Sequence, residues 1–192
     1  MTSLLRALRL TFALWLLTVV VITAPLLGVA RLVAPEQAAG SLLRHQGQVV
    51  GSSLIGQPFE SPRYLHGRPS AVDGATGPVP NSGASNLSVA NPRLRDQVQA
   101  RVAAWQRRGV ARPAADLLTS SGSGLDPHIS LEAALQQAPA IAQARGLSEA
   151  VVAARLRACA RSPLPGWPLA AWPLRPLVAV LPCNLALDQA ER

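Results

Sequence analysis

The stretch that decides the architecture is Leu10–Ala30, LTFALWLLTVVVITAPLLGVA, which carries no charged residue over 21 positions. A helix of this length can cross the hydrocarbon core of a bilayer, which is about 30 Å thick. A backbone in lipid must close its own hydrogen bonds, so we expect the segment to be helical, with a disturbed outer turn at Pro25. The sequence therefore predicts one membrane span, 10–30, followed by a long C-terminal part.

The charges beside the span predict its orientation. Arg6 and Arg9 precede it with no acidic residue, whereas the residues that follow are mixed in charge. Because cationic flanks stay in the cytoplasm, we expect a cytoplasmic tail over 1–9 and an exported C-terminal domain. The alternative is a cleaved signal peptide with its cleavage site at 28–30, although the apolar run continues to a full spanning length.

The composition argues against nucleic-acid binding and nucleotide hydrolysis as functions of this chain. All 18 basic residues are Arg, and they give a formal charge of +8. They are scattered and do not alternate with aromatic residues, so we expect no nucleic-acid partner. The chain has no Lys and no phosphate-binding G-x-x-x-x-G-K-[ST] loop, so nucleotide hydrolysis must belong to another polypeptide.

Beyond the span, the patterns predict an α+β fold: a connector over 31–47, then one exported mixed α+β domain over 48–192 with long irregular loops. Helices are predicted to begin at Asn91-Pro92, to run over Leu131–Arg145 with a disturbance at Pro139, to run from Ser148 to Arg157, and to end the chain. Strands are predicted over 48–55, 116–120 and 177–181. A Pro/Trp-rich linker is expected at 162–176. Residues 56–91 carry so many Pro and Gly that no period persists, and a structureless loop of this length is usually functional.

Two short stretches carry residue types that are used in catalysis. Ser120–Gly124 is followed closely by Asp126 and His128, but the nucleophile-elbow pattern G-x-S-x-G is absent. We therefore favour a glycine-hinged turn in which Asp126 and Ser130 accept hydrogen bonds from backbone amides. The second stretch, 66–69, places an imidazole and a guanidinium on one turn, and here too we favour a structural turn with Arg68 paired internally.

Two further sites stay open as alternatives. A metal site built from His66, Asp126 and His128 has no spacing logic behind it. Cys159 and Cys183 are either a disulfide or two unpaired core thiols, and neither state implies catalysis.

Five ordered motifs carry a resemblance to a known family. They are GSSLIGQ at 51–57, YLHGRPS at 64–70, SGASNL at 82–87, SGSGLDPHIS at 121–130 and NLALD at 184–188. Together with the N-terminal span, they closely resemble the KdpC family, the C subunits of bacterial high-affinity potassium-transporting P-type ATPases.

The resemblance implies partners and a role. The partners would be a channel-like potassium-binding subunit, a P-type ATPase catalytic subunit and a small membrane peptide. The role would be that of a non-catalytic accessory subunit in the bacterial inner membrane, which supports assembly and raises the ATP affinity or turnover of the catalytic subunit. No cofactor would be stably bound, and ATP would act through the catalytic subunit, with at most a transient contact.

We expect the loop 56–91 and the turn 121–130 to form the docking face on the channel-like subunit. The predicted contact residues are Tyr64, His66, Arg68, Ser85, Asn86, Asp126 and His128. The alternative from another class is an exported Ser/His hydrolase that uses Ser123 and His128, or a cell-wall-binding protein, anchored by an uncleaved signal.

Overall fold

The structure is a computed structural model that describes residues 2–74, 76–77, 81–162 and 175–189. The chain divides into two compact units, residues 1–42 and 43–192. The apolar segment belongs to the first unit, and the α+β domain belongs to the second. Most of the Pro/Trp-rich linker expected at 162–176 lies outside the described residues.

The N-terminal unit contains the predicted span. Within the described residues, Ser3–Val33 is the one helix that is long and apolar enough to cross a membrane, and it is longer than the predicted 10–30. Its side chains are largely exposed, as lipid-facing side chains would be. The disturbance expected at Pro25 is a stretch of π-helix, wider than an α-helix, that ends two residues before the proline. The segments in order are α1 (Thr2–Leu17), the π-helical stretch (Thr18–Thr23) and α2 (Ala24–Val33).

The connector predicted at 31–47 contains regular structure. A short helix, α3 (Pro35–Ala38), is followed by strand β1 (Leu42–His45), which pairs with β2 (Gln48–Ser52). The turn between the strands is Gln46-Gly47, with φ of 51° and 82°, and a tight two-residue hairpin needs such positive φ at both positions. β1 was not predicted because the turn lacks the usual Asn-Gly or Asp-Gly pair.

The helix predicted at Asn91-Pro92 is α4 (Pro92–Arg107), and the Asn91 side chain accepts a hydrogen bond from the Arg93 amide at 3.0 Å. The strand predicted at 116–120 is wrong. That segment forms the short helix α5 (Ala115–Leu118), because the hydroxyl and the amide of Thr119 both donate to the Ala115 carbonyl and close a helical turn.

Helices and a small antiparallel sheet build most of the core of the domain. The predicted helix 131–145 is interrupted, with Pro139 in the first turn of its second half, and it becomes α6 (Leu131–Leu135) and α7 (Ala138–Arg145). Helix α8 (Glu149–Cys159) follows, and Ser148 caps it by accepting from the Val151 amide.

The sheet packs against α6, α8 and the last helix. Strands β3 (His128–Ser130), β4 (Ala160–Arg161) and β5 (Leu177–Ala179) pair antiparallel in the order β3-β5-β4, and α9 (Val180–Gln189) follows β5 directly. Val178 lies opposite both Ile129 and Ala160. The buried cluster consists of Leu65, Leu117, Ile129, Ala133, Ala134, Ala138, Ile141, Ala142, Val152, Leu156, Val178, Val180, Cys183 and Leu187.

The two cysteines form a disulfide. Cys159 at the end of α8 bonds to Cys183 in α9 across 24 positions of sequence, with their Cα atoms 5.7 Å apart. Of the two alternatives left open by the sequence, the structure has the bridge.

Candidate functional site

The long loop wraps around the turn that follows α5. The Gly56 amide donates to the Leu125 carbonyl at 2.8 Å, and the Gly83 amide donates to the Ser123 carbonyl at the same distance. In the other direction, the Ser121 amide donates to the Pro69 carbonyl at 2.9 Å. The two segments that were expected to share one face are therefore brought together, and we call this surface the loop–turn face (56–91 with 121–130).

Glycine makes this close approach possible at two positions. A Cβ on Gly56 would lie 2.5 Å from the Asp126 carbonyl oxygen, so no side chain fits there. Gly124 has φ of 72°, and a Cβ on it would lie 2.6 Å from the Val72 side chain. Gly56 of GSSLIGQ and Gly124 of SGSGLDPHIS thus have a packing role.

A cleft of about 370 Å³ opens on the loop–turn face, and Arg68 and Asp126 line it. Arg68 Nη1 lies 3.2 Å from Asp126 Oδ2, and Nη2 donates to the Ser120 carbonyl at 3.4 Å. Both side chains are partly exposed. The prediction that Arg68 is paired internally is confirmed, and the pair joins the loop to the turn.

Asp126 also organises its own turn. Its Oδ1 accepts a hydrogen bond from the His128 amide at 3.0 Å and lies 3.7 Å from His128 Nδ1. The Ser130 hydroxyl accepts from the Ala133 amide at 3.2 Å. The predicted glycine-hinged turn, with Asp126 and Ser130 satisfying backbone amides, is confirmed.

Among the described residues, the serines near His128 are engaged by backbone amides. The Ser123 hydroxyl accepts from the Leu125 amide at 3.1 Å, and Ser121 accepts from the Gly124 amide at the same distance. Within the described residues neither serine is hydrogen-bonded to an imidazole, which a general base for a nucleophile requires. These residues also contain no group of three metal-ligating side chains, so the alternative of a site from His66, Asp126 and His128 finds no geometric support.

His66 lines the same cleft as the Arg68–Asp126 pair, and its ring also contacts α4. Its ring meets the Trp105 ring edge to face, with centroids 6.0 Å apart. Burial lowers the pKa of the imidazole, and the nearby Arg108 guanidinium lowers it further, so the ring is neutral at pH 7. An uncharged, half-buried ring in contact with Trp105 acts in packing.

Tyr64 lies in a separate polar cluster with Arg145 and Asp188. Its hydroxyl donates to Asp188 Oδ2 at 3.2 Å, and the Arg145 guanidinium lies 5.3 Å over its ring. Burial raises the pKa of the phenol, and the Asp188 carboxylate raises it further. Arg145, whose side chain is fully buried, forms an ion pair with Asp188 at 2.9 Å. Tyr64 thus fastens the loop to α9.

Ser85 and Asn86 lie further along the loop. Asn86 is exposed, with φ of 49°, and Ser85 is half-buried. Neither side chain makes a hydrogen bond within the described residues. Of the seven predicted contact residues, the structure groups Arg68, Asp126 and His128, and His66 lines the same cleft as Arg68 and Asp126. Tyr64, Ser85 and Asn86 lie elsewhere along the loop.

Two residues that hold the site were not predicted. Asn184 is buried and bonds both the amide (2.8 Å) and the carbonyl (3.0 Å) of Leu65. Gln137, also buried, accepts a hydrogen bond from the His66 amide at 2.9 Å and donates one to the His66 carbonyl at 3.1 Å. The available signal was weak: a polar residue inside an otherwise apolar helical stretch.

Comparisons with known proteins agree with the motifs. A sequence model of the KdpC family, described as the c chain of K+-transporting ATPase, matches residues 4–189. The potassium-transporting ATPase KdpC subunit of Cereibacter sphaeroides strain KD131 is 49% identical over 192 residues, which cover 99% of this chain and 98% of that protein. The protein of the same name from Methylibium petroleiphilum is 48% identical over 196 residues, with 98% of each chain covered. Another, from Sorangium cellulosum, is 48% identical over 170 residues, or 85% of each chain. Since the similarity spans both the apolar helix and the α+β domain, the chain belongs to the KdpC family.

Proposed function

We propose that the chain is an accessory subunit of an ATP-driven potassium import complex, with no active site of its own. The observation that carries this proposal is the family match, which runs through the anchor and the domain together. Its partners are a channel-like potassium-binding subunit, a P-type ATPase catalytic subunit and a small membrane peptide. Within the complex it supports assembly and raises the ATP affinity or turnover of the catalytic subunit.

The domain acts outside the cytoplasm in this proposal, and the N-terminus lies inside. The Arg residues before the span support this orientation, and so does the Cys159–Cys183 disulfide, because disulfides persist in oxidising compartments. A C-terminal alkaline phosphatase fusion should be active in cells, and a C-terminal green fluorescent protein fusion exported by the general secretory route should be dark. The reverse pattern would contradict this orientation.

The effect on ATP is allosteric. ATP is cytoplasmic and the domain is exported, so the coupling must pass through the anchor or through the channel-like subunit as a free energy shared between two sites. The chain needs no stably bound nucleotide for this role, although a transient contact is compatible with it.

Docking on the channel-like subunit occurs through the loop–turn face. Loops positioned on a rigid scaffold commonly carry binding residues, and here backbone hydrogen bonds and the Arg68–Asp126 pair hold the loop in place. His128 and Asn86 offer polar side chains that are partly or fully exposed on this face.

The test replaces Arg68 and Asp126 together with Ala and measures the subunit content and the potassium-stimulated ATPase activity of the purified complex. We expect both to fall. The matched control removes another ion pair, Arg175–Glu132, which is exposed and lies outside the face, and should leave both unchanged.

A second variant separates docking from folding. His128→Ala combined with Asn86→Ala changes partly or fully exposed side chains, so the melting temperature of the chain should stay constant while assembly weakens. Intact assembly and activity in both double variants would refute the docking role of the loop–turn face.

A further inference from the structure

A second cavity, of about 550 Å³, is lined by neither Arg68 nor Asp126, and His66 lines both cavities. It runs between the C-terminal end of α4, helix α7 and residues 60–66, and we call it the α4–α7 groove. Its floor is formed by the Trp105 and His66 rings, by Ile141 and by the small side chains of α7. The rim is formed by Glu60, Arg107, Arg108 and Gln143.

The rim carries more positive than negative charge. Arg107 Nε donates to the Ala103 carbonyl of its own helix at 3.3 Å, and the Arg108 guanidinium lies 5.0 Å over the Trp105 ring. In the part of the chain that the structure describes, neither guanidinium is paired with a carboxylate. Glu60 is the one described carboxylate that lines the groove, so one positive charge is left uncompensated.

The floor of the groove is held rigidly. Trp105 Nε1 donates to the Leu117 carbonyl at 3.2 Å, which fixes the indole against the domain. Gln137 bonds both the amide and the carbonyl of His66. A preformed surface loses little entropy when a ligand binds, which favours recognition of an extended segment.

We propose that the α4–α7 groove binds an acidic segment of another subunit of the complex. A carboxylate of that segment would meet Arg107 and Arg108, because guanidinium groups match carboxylates bidentately, and an adjacent apolar side chain would lie against Trp105. Two exposed Arg side chains beside a half-buried Trp are residue types that commonly dominate binding at protein interfaces. The inference rests on the proposed accessory role and adds a contact outside the loop–turn face.

The experiment places the photocrosslinking amino acid p-benzoylphenylalanine at position 143, which is exposed on the rim, in the purified complex. We expect crosslinking to a peptide of another subunit that contains Asp or Glu. Arg107→Glu with Arg108→Glu should lower the crosslinking yield per assembled complex about tenfold, as should high salt, because exposed charges are screened.

The matched control is Arg93→Glu with Arg95→Glu, which reverses two exposed charges at the other end of the same helix and should leave the yield unchanged. Crosslinking to lipid, to a second copy of the chain or to an added ATP analogue would overturn the proposal, as would a yield insensitive to the groove charges. If the complex assembles but position 143 crosslinks to nothing, this inference fails and the accessory role stands. If no complex is recovered, both fail.

Discussion

At the residue scale, the loop is held by two side-chain amides that each bond both the backbone N–H and the backbone C=O of one loop residue, as a paired strand would. Asn184 and Gln137 each donate to a carbonyl and accept from the amide of the same residue, Leu65 and His66 respectively. Arg145 Nε adds a hydrogen bond to the Arg63 carbonyl at 2.7 Å. Three buried polar side chains from the helices thus satisfy the backbone of an irregular segment, as burial requires.

Asn184→Ala tests this arrangement. Removing the amide leaves a buried N–H and a buried C=O of Leu65 unpaired, so we expect the free energy of unfolding to fall by about 2–4 kcal/mol. The measurement is the thermal or urea unfolding of the detergent-solubilised full chain. Ala186→Asn, which adds the same group on the exposed side of α9, is the control and should change little. Equal stability of the two variants would contradict the role given to Asn184.

His66 makes stability depend on pH. Its pKa is lowered in the folded chain by burial and by Arg108, whereas an unfolded histidine titrates near pH 6.5. Below about pH 6.5 the unfolded state binds more protons, so the folded state loses stability until the pH passes the folded pKa. The melting temperature of His66→Gln should therefore fall less between pH 7.5 and pH 5.5 than that of the parent chain. Identical losses would contradict a neutral, half-buried imidazole.

Little of this residue-level arrangement was predictable. The pairing of Arg68 and the amide contacts of Asp126 follow from short-range turn chemistry, which depends on neighbours in sequence. The contacts of Asn184 and Gln137 join residues 119 and 71 positions apart, and no local pattern encodes such a distance.

At the element scale, the helices with clear end signals were predicted well. Asn91-Pro92, Ser130 and Ser148 each begin a helix, and Gly146 ends one with φ of 67°. The failures have a common cause. The 116–120 segment and strand β1 are only four residues long as elements, too short for a hydrophobic period to distinguish helix, strand and loop.

The disulfide is an element-scale constraint, because it ties the end of α8 to α9 across a segment of 24 positions. In the chain-entropy model, a closed loop of this size contributes about 3 kcal/mol by restricting the unfolded chain. Replacing both Cys159 and Cys183 with Ala should lower the free energy of unfolding by about this amount.

Reductant provides the control for that prediction. The parent chain should lose stability when reduced, and the double variant should not respond. A double variant with the same melting temperature as the oxidised parent would show that the disulfide adds nothing to stability.

At the scale of the whole molecule, one apolar helix and one α+β domain were predictable because each depends on a long pattern. The apolar run needs only length and the absence of charge. The domain class follows from alternating helix signals and short apolar runs, and its long loop follows from repeated Pro and Gly. How that loop packs was not predictable, since the loop–turn face is built from backbone contacts that sequence patterns do not record.

As a member of the KdpC family, the chain is one subunit of a multi-subunit potassium-transport complex. Within the described residues its polar clusters tie loops to helices, and the serines near His128 are committed to backbone amides. The contribution of the chain to transport is best measured in the assembled complex, where a coupling free energy between subunits becomes visible.

The most direct measurement is a gentle detergent purification of the C-terminally tagged chain, followed by assay of potassium-stimulated ATP hydrolysis with and without the chain. We expect stoichiometric channel-like and P-type ATPase subunits to copurify, and activity or apparent ATP affinity to be lost when the chain is omitted. A chain that purifies alone, or a complex with the same activity and the same ATP affinity without it, would contradict the accessory role.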